Sequence, residues 1–194
     1  MKIVFATNNL NKLSEIQSLV PNGIEILSLI DINCNEKLPE TSLTLEGNAL
    51  QKAKFVFDNY GYNCFADDTG LEIDALGGEP GVYSARYAGE NCLAKDNIRK
   101  VLDKLKGEKV RGAKFRTVIA LIINGKETLF EGECNGSIMQ TKNGEEGFGY
   151  DPIFLPDDSE LTFAQMSKKE KGKISHRGKA VSKLVSFLGM KNLI

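Results

Sequence analysis

The stretch KFRTVIALIINGKETLFEGE, Lys114 to Glu133, decides the kind of sheet this chain builds. Two extended, apolar-rich runs, Lys114 to Ile123 and Lys126 to Glu133, flank Asn124-Gly125, the strongest short-range hairpin signal. The two arms of a hairpin are antiparallel. Upstream, however, strand-like and helix-like segments alternate, which is the signature of parallel crossovers. The two patterns together predict a mixed sheet.

Working outward, Lys2 to Ala6 reads as a strand, Lys12 to Val20 as a helix and Ile24 to Leu29 as a strand. A polar stretch from Asp31 to Ser42 follows. Leu43 to Tyr60 carries Ala49, Leu50, Ala53 and Phe57 at helical spacing, with Gly61 as a stop. Asn63 to Ala66 and Leu71 to Asp74 read as short strands around a turn. Ala94 to Leu105, with Ile98, Val101, Leu102 and Leu105 on one face, reads as a helix ending at Gly107. Downstream of the hairpin come a glycine-rich loop, Gly144 to Gly149, and a helix from Ser175 to Leu188 capped by Ser175. No repeat or low-complexity tract interrupts the chain, so 1–194 is expected to form a single α/β domain with a mixed β-sheet flanked by helices.

A chain of 194 residues suits one substantial core, at most in two lobes. A hydrophobic fraction of 41% and a net charge of −1 fit a globular protein with no bulk attraction to nucleic acid or anionic membrane. Cys34, Cys64, Cys92 and Cys134 form no CxxC pair, so neither a zinc site nor a redox motif is indicated. Ile3 to Ala6 is too brief for a signal-peptide core, and no apolar run approaches the ~20 residues of a membrane span. The expectation is a cytoplasmic chain with reduced thiols and no membrane partner.

Four polar segments can carry chemistry. Thr7 to Lys12, TNNLNK, joins a strand to a helix start, where backbone N–H groups and the helix dipole suit an anion. It lacks the glycines and the GK[ST] ending of a Walker A loop, and an ordinary capped turn is the alternative. Asp67 and Asp68 follow the apolar Cys64-Phe65-Ala66. Neighbours on a strand face opposite ways, so at most one carboxylate would point into a site unless a turn redirects the other. Hard oxygen ligands at a strand end are what Mg²⁺ prefers, completed by waters and substrate phosphates; two turn-forming acids are the alternative. Glu40 lies in the polar stretch before a helix that carries Lys52. GFGYDPIF, Gly147 to Phe154, offers aromatic rings to a planar ligand or buries them in the core. KKEKGKISHRGKA, Lys168 to Ala180, is a basic run holding the only histidine, His176, so a metal site here must rest on carboxylates.

These pieces occur in one order: TNNLNK at 7–12, LPE at 38–40, NALQKA at 48–53, ADDTGLEIDALGGEPGVYSARYAG at 66–89, EGFGYDPIF at 146–154 and EKGKISHRGKA at 170–180. The set closely resembles the inosine triphosphate pyrophosphatase family. Asn8 stands where that family commonly has glycine, and Thr69 replaces a common serine while keeping the hydroxyl. The resemblance implies an elongated mixed α/β fold of two lobes with a central cleft, usually a homodimer. It implies Mg²⁺-dependent hydrolysis of ITP, dITP and XTP to the monophosphate and pyrophosphate. Carried across, Thr7, Asn9, Lys12, Lys52 and Lys171 would hold the triphosphate, with Asn8, Leu10 and Asn11 completing the substrate loop. Glu40 and Asp68 would hold Mg²⁺ with Asp67 close by, and Asp68 would accept the proton. Thr69 would touch the nucleotide, and Phe148, Gly149, Tyr150 and Asp151, with His176 and Arg177, would surround the base.

An isolated aspartate, with a pKa of ~3.9, is a poor base for ordinary water, so a metal must help. Arg177 has only donors and would favour a 6-oxo over a 6-amino purine; its truncation is expected to weaken dITP use far more than it changes melting temperature. The segment Gly81 to Gly89 could serve the cleft or a subunit contact. Two rivals remain at this point: a Maf-like pyrophosphatase acting on pyrimidine or modified nucleotides, and a nucleic-acid-binding module built on Lys168 to Lys183. The Maf type tends to have arginine in place of Lys12 and lacks the Ser-His-Arg segment; the overall charge and the paired aspartates oppose the second.

Overall fold

The structure, a computed structural model, describes residues 1–91 and 93–190; the Cys92 thiol lies outside the described residues. The chain runs β1 (Lys2–Phe5), α1 (Leu10–Leu19), β2 (Glu25–Leu27), α2 (Leu45–Tyr60), β3 (Cys64–Ile73) and β4 (Pro80–Gly81). It continues through α3 (Ala94–Lys104), β5 (Gly112–Ile123), β6 (Lys126–Ile138), β7 (Phe154–Pro156), α4 (Lys168–Ile174) and α5 (His176–Met190). The sheet order is β2-β1-β3-β5-β6-β7, with β4 paired to β3 off that path. β1 runs parallel to β2 and β3, while β4 is antiparallel to β3 and β7 to β6. The sheet is mixed, as the hairpin requires. Asn124 and Gly125 both take positive φ, 49° and 77°, the left-handed pair whose twist matches the flanking strands.

Three boundaries differ from the sequence-based expectation. The two short strands predicted around a Thr69-Gly70 turn are one continuous strand, β3. Gly70 is there for proximity rather than for turning: a Cβ on it would meet the Gly81 carbonyl oxygen of β4 at 2.8 Å. The predicted C-terminal helix is two helices, and Ser175 ends the first, with φ −69° and ψ 156°, instead of capping the second. Finally, α1 begins at Leu10, two residues before the apolar periodicity does, because Asn9 caps it.

The chain divides into two compact units. Unit 1 comprises 1–68, 117–132 and the chain from 176 onward; unit 2 comprises 69–116 and 133–175. In unit 1 strand alternation builds two cores. Val4, Ala6, Cys64, Ala66, Ala120 and Ile122 pack with Ala49, Ala53 and Val56 of α2. Ile3, Phe5, Phe65, Ile119 and Leu121 pack with Ile16 of α1 and with Ala180, Leu184 and Leu188 of α5. Phe5 and Phe65 stack at 4.7 Å between centroids. The start of α5 lies so close to β6 that a Cβ on Gly132 would be 2.1 Å from the His176 carbonyl oxygen. Unit 2 has its own core, in which Leu71, Ile73, Phe115 and Phe154 meet Ile98 and Val101 of α3. Cys34, Cys64 and Cys134 are free and buried, and the Cys64 thiol donates to the Ala53 carbonyl at 3.1 Å.

Candidate active site

The loop after β1 is organised by Asn9. Its Oδ1 accepts from the backbone N–H of Asn11 at 3.0 Å and of Lys12 at 3.2 Å, and its own N–H donates to the Thr7 hydroxyl at 3.1 Å. Two of the N–H groups at the helix start are therefore already satisfied, and the cationic element of this loop is the Lys12 side chain. Asn8, Leu10 and Asn11 are exposed, and Thr7 is half-buried.

Because β3 is continuous, Asp67 and Asp68 project to opposite faces of one strand. Asp67 follows Phe65 toward α1 and α5. Its Oδ1 receives Lys12 Nζ at 2.9 Å, and its Oδ2 receives Arg177 Nε at 3.2 Å. Arg177, 2% exposed in the first turn of α5, also donates from Nη1 to Glu15 Oε2 at 2.5 Å. A buried chain of charges, Lys12–Asp67–Arg177–Glu15, results. Burial alone would raise the Asp67 pKa, but Lys12, Arg177 and Lys52 outweigh it and hold the carboxyl well below its usual range. Burial lowers the Lys12 pKa, against the opposing pull of Asp67.

Asp68 follows Ala66 toward α2, which meets it with residues one turn apart. Asn48 Nδ2 donates to Asp68 Oδ2 at 3.1 Å, and Lys52 Nζ lies 3.5 Å from Oδ1. The same ammonium donates to Glu40 Oε1 at 2.5 Å. The Glu40 loop is fastened to α2 at two further points: Thr41 N–H and hydroxyl to Gln51, both at 3.0 Å, and Ser42 N–H to Asn48 Oδ1 at 2.8 Å. Burial pushes the Asp68 pKa up; Lys52 and Lys12 oppose the rise and Glu40 adds to it. For Lys52 burial would lower the pKa, yet Asp68, Glu40 and Asp67 together raise it. Two neighbouring acids thus have pKa values moved in opposite directions by opposite faces of one strand.

Glu40 and Asp68 converge on a single point charge, the Lys52 ammonium, which stands in for the kind of cation such a pair can share. Among the described residues no group of three or more His, Cys, Asp or Glu side chains could hold a metal ion. Mg²⁺ is ordinarily held by one or two carboxylates with water and substrate phosphates, so Glu40 and Asp68 fit it. Asp67 is committed to Lys12 and Arg177.

In unit 2 the loop Gly147 to Asp151 forms a second cluster. Asp151 Oδ2 accepts from the Phe148 N–H at 2.8 Å and from Lys171 Nζ at 2.7 Å. Lys171, buried on α4, has its ammonium 5.1 Å from the Phe148 ring centroid and 5.4 Å from that of Phe163. A cation between two rings and a carboxylate is both neutralised and held. Gly147 has φ 75°, and a Cβ there would lie 2.1 Å from Asp151 Oδ2, so the turn is shaped around that carboxylate. Tyr150 is buried and its hydroxyl donates to the Ser84 carbonyl at 2.8 Å. Thr69 is half-buried in β3, and His176 is buried in the first turn of α5.

The structure therefore joins Lys12, Asp67 and Arg177, joins Glu40, Lys52 and Asp68, and separately joins Phe148, Asp151 and Lys171. Sequence reasoning missed Glu15 and Asn48. Each had a signal: Glu15 is one helical turn beyond Lys12, and Asn48 one turn before Lys52.

A model of the Ham1 family matches residues 3–187. The dITP/XTP pyrophosphatase of Flavobacterium johnsoniae is 57% identical over 188 residues, covering 97% of this chain and 98% of that protein. The solved Ham1 protein of Staphylococcus aureus is 40% identical with a TM-score of 0.89, covering 98% of this chain and 100% of that one. A HAM1 protein from Coxiella burnetii gives 37% identity and a TM-score of 0.89 over 98% of this chain and 99% of that one.

Proposed function

Since this chain belongs to the Ham1 family, we propose that it hydrolyses dITP, ITP and XTP to the nucleoside monophosphate and pyrophosphate. The observation that carries the assignment to particular residues is the division of labour across β3. Asp67 holds two cationic side chains in place, and Asp68 shares a cation with Glu40.

Glu40 and Asp68 would hold Mg²⁺, which supplies acidification of bound water and neutralises charge on the departing pyrophosphate. Asp68 accepts the proton of the attacking water; its pKa, raised by burial, makes it a better acceptor than an exposed aspartate. Asp67 stays anionic and orients Lys12. Lys12 and Lys52, with Thr7 and Asn9, serve the triphosphate, and the two ammonium groups stabilise negative charge as it spreads onto the leaving group. Asn8, Leu10, Asn11 and Thr69 border the nucleotide. Phe148 offers a ring face to the base, flanked by Gly149, Tyr150 and Asp151. Lys171 beside that ring has only donors, which suit a 6-oxo purine and not a 6-amino one. His176 belongs with the base as well, and Arg177 acts through Asp67. The enzyme works in the cytoplasm as a homodimer, as its motifs imply; no helix among the described residues is long and apolar enough to cross a membrane.

The test is product analysis with Mg²⁺ and dITP, dGTP, dATP or dTTP in separate reactions. Pyrophosphate and dIMP are expected from dITP, with far slower turnover of dATP and dTTP. Release of a single phosphate would overturn the assignment, as would preferred use of dTTP. Asp68→Asn is expected to abolish turnover while circular dichroism stays unchanged; full activity in that variant would remove Asp68 from the chemistry.

A further inference from the structure

We propose that Ser84 and Asn97 are positioning residues for substrate binding, acting through Tyr150 to fix the loop that carries Phe148 and Asp151. The proposal rests on the base-binding role given above to that loop. All the groups concerned lie in unit 2.

The loop is supple by composition. Gly144, Gly147 and Gly149 all take positive φ, and glycine confers backbone freedom that anchors must remove. Two anchors are present. Asp151 binds the Phe148 N–H and Lys171, and Tyr150 binds the Ser84 carbonyl. The second anchor is only as firm as Ser84, and Ser84 is tied on three sides. Its hydroxyl accepts from Leu71 N–H of β3 at 2.9 Å and donates to the Gly81 carbonyl of β4 at 2.6 Å. Its carbonyl also receives Asn97 Nδ2 of α3 at 3.4 Å. Asn97 goes on to clamp the rest of the turn, donating to the Ala85 carbonyl at 2.9 Å and accepting from Ala88 N–H at 2.7 Å. Ser84 and Asn97 are both buried, at 8% and 4% exposure. The segment 81–89 is thus a bracket between β3, β4 and α3 whose one outgoing bond is to Tyr150, the residue beside Asp151.

The experiment measures dITP kinetics for wild type, Tyr150→Phe and Asn97→Ala, together with inhibition by inorganic tripolyphosphate, a probe without a base. Loss of one buried hydrogen bond is expected to raise the dITP KM about tenfold in Tyr150→Phe. The expected kcat is within about threefold of wild type, since the groups given the chemistry are elsewhere in the chain. Asn97→Ala is expected to show the same split, and tripolyphosphate inhibition is expected to be unchanged in both. If Asn97→Ala fails to fold, Tyr150→Phe alone decides. An active wild type with an unaltered dITP KM in Tyr150→Phe would overturn the bracket alone. So would a parallel loss of dITP and tripolyphosphate binding, which marks a merely structural role. A wild type that releases no pyrophosphate from dITP would overturn the pyrophosphatase assignment and the bracket with it.

Discussion

At Arg177 a single guanidinium spans two carboxylates, Asp67 through Nε and Glu15 through Nη1, with almost no solvent around it. Truncating it strands a buried aspartate, and leaving such a charge unpaired costs about 3–5 kcal/mol. Arg177→Ala is therefore expected to lower the melting temperature by roughly 10 °C in a thermal-denaturation scan, given the usual conversion for a chain of this size. A variant melting with wild type would show that the charge chain is not stabilising. The sequence had suggested the reverse, activity lost with stability kept, because an arginine beside the lone histidine reads as a ligand contact until its burial is known. Lys12, Lys52, Asp67 and Asp68 were legible as individual residues, since their side-chain chemistry is distinctive. Their partners were not. Glu15, Asn48 and Gln51 are ordinary helix residues until the strand that faces them is placed.

At the scale of elements, the hairpin and the parallel crossovers could be read directly, because turn chemistry and hydrophobic period are local. β3 could not: Thr69-Gly70 resembles a turn, and only the close approach of β4 explains a glycine inside a strand. α4 was hidden by its lysines, although Ser167 and Glu170 form a capping box whose spacing is visible in the sequence. Two variants test what the elements do. Gln51→Ala removes both bonds from α2 to Thr41 and so loosens Glu40. Titration of activity with Mg²⁺ is expected to show a several-fold higher half-saturating concentration, and an unshifted curve would detach Gln51 from the metal. Gly132→Ala drives a methyl group into the backbone of α5, 2.1 Å from the His176 oxygen and 2.6 Å from the Ala180 nitrogen. Overpacking against atoms that cannot swing aside costs about 1–3 kcal/mol, so chemical denaturation is expected at lower urea.

Over the whole molecule, each unit folds around apolar clusters that need no ion. EDTA is expected to stop pyrophosphate release from dITP while leaving the melting temperature without nucleotide unchanged. A drop in melting temperature on chelation would instead reveal a structural metal. The near-neutral charge, −1, gives no reason for steep salt-dependent binding to DNA. One further property follows from where the sulfur atoms lie. Cys34, Cys64 and Cys134 are closed off from water, and burial pushes the Cys64 thiol up to about 12. Peroxides attack exposed thiolates, and Cys64 is neither exposed nor ionised at neutral pH. An oxidant meeting the folded chain therefore has no route to these three sulfurs, and at those positions the protein can outlast a cell whose glutathione has been spent.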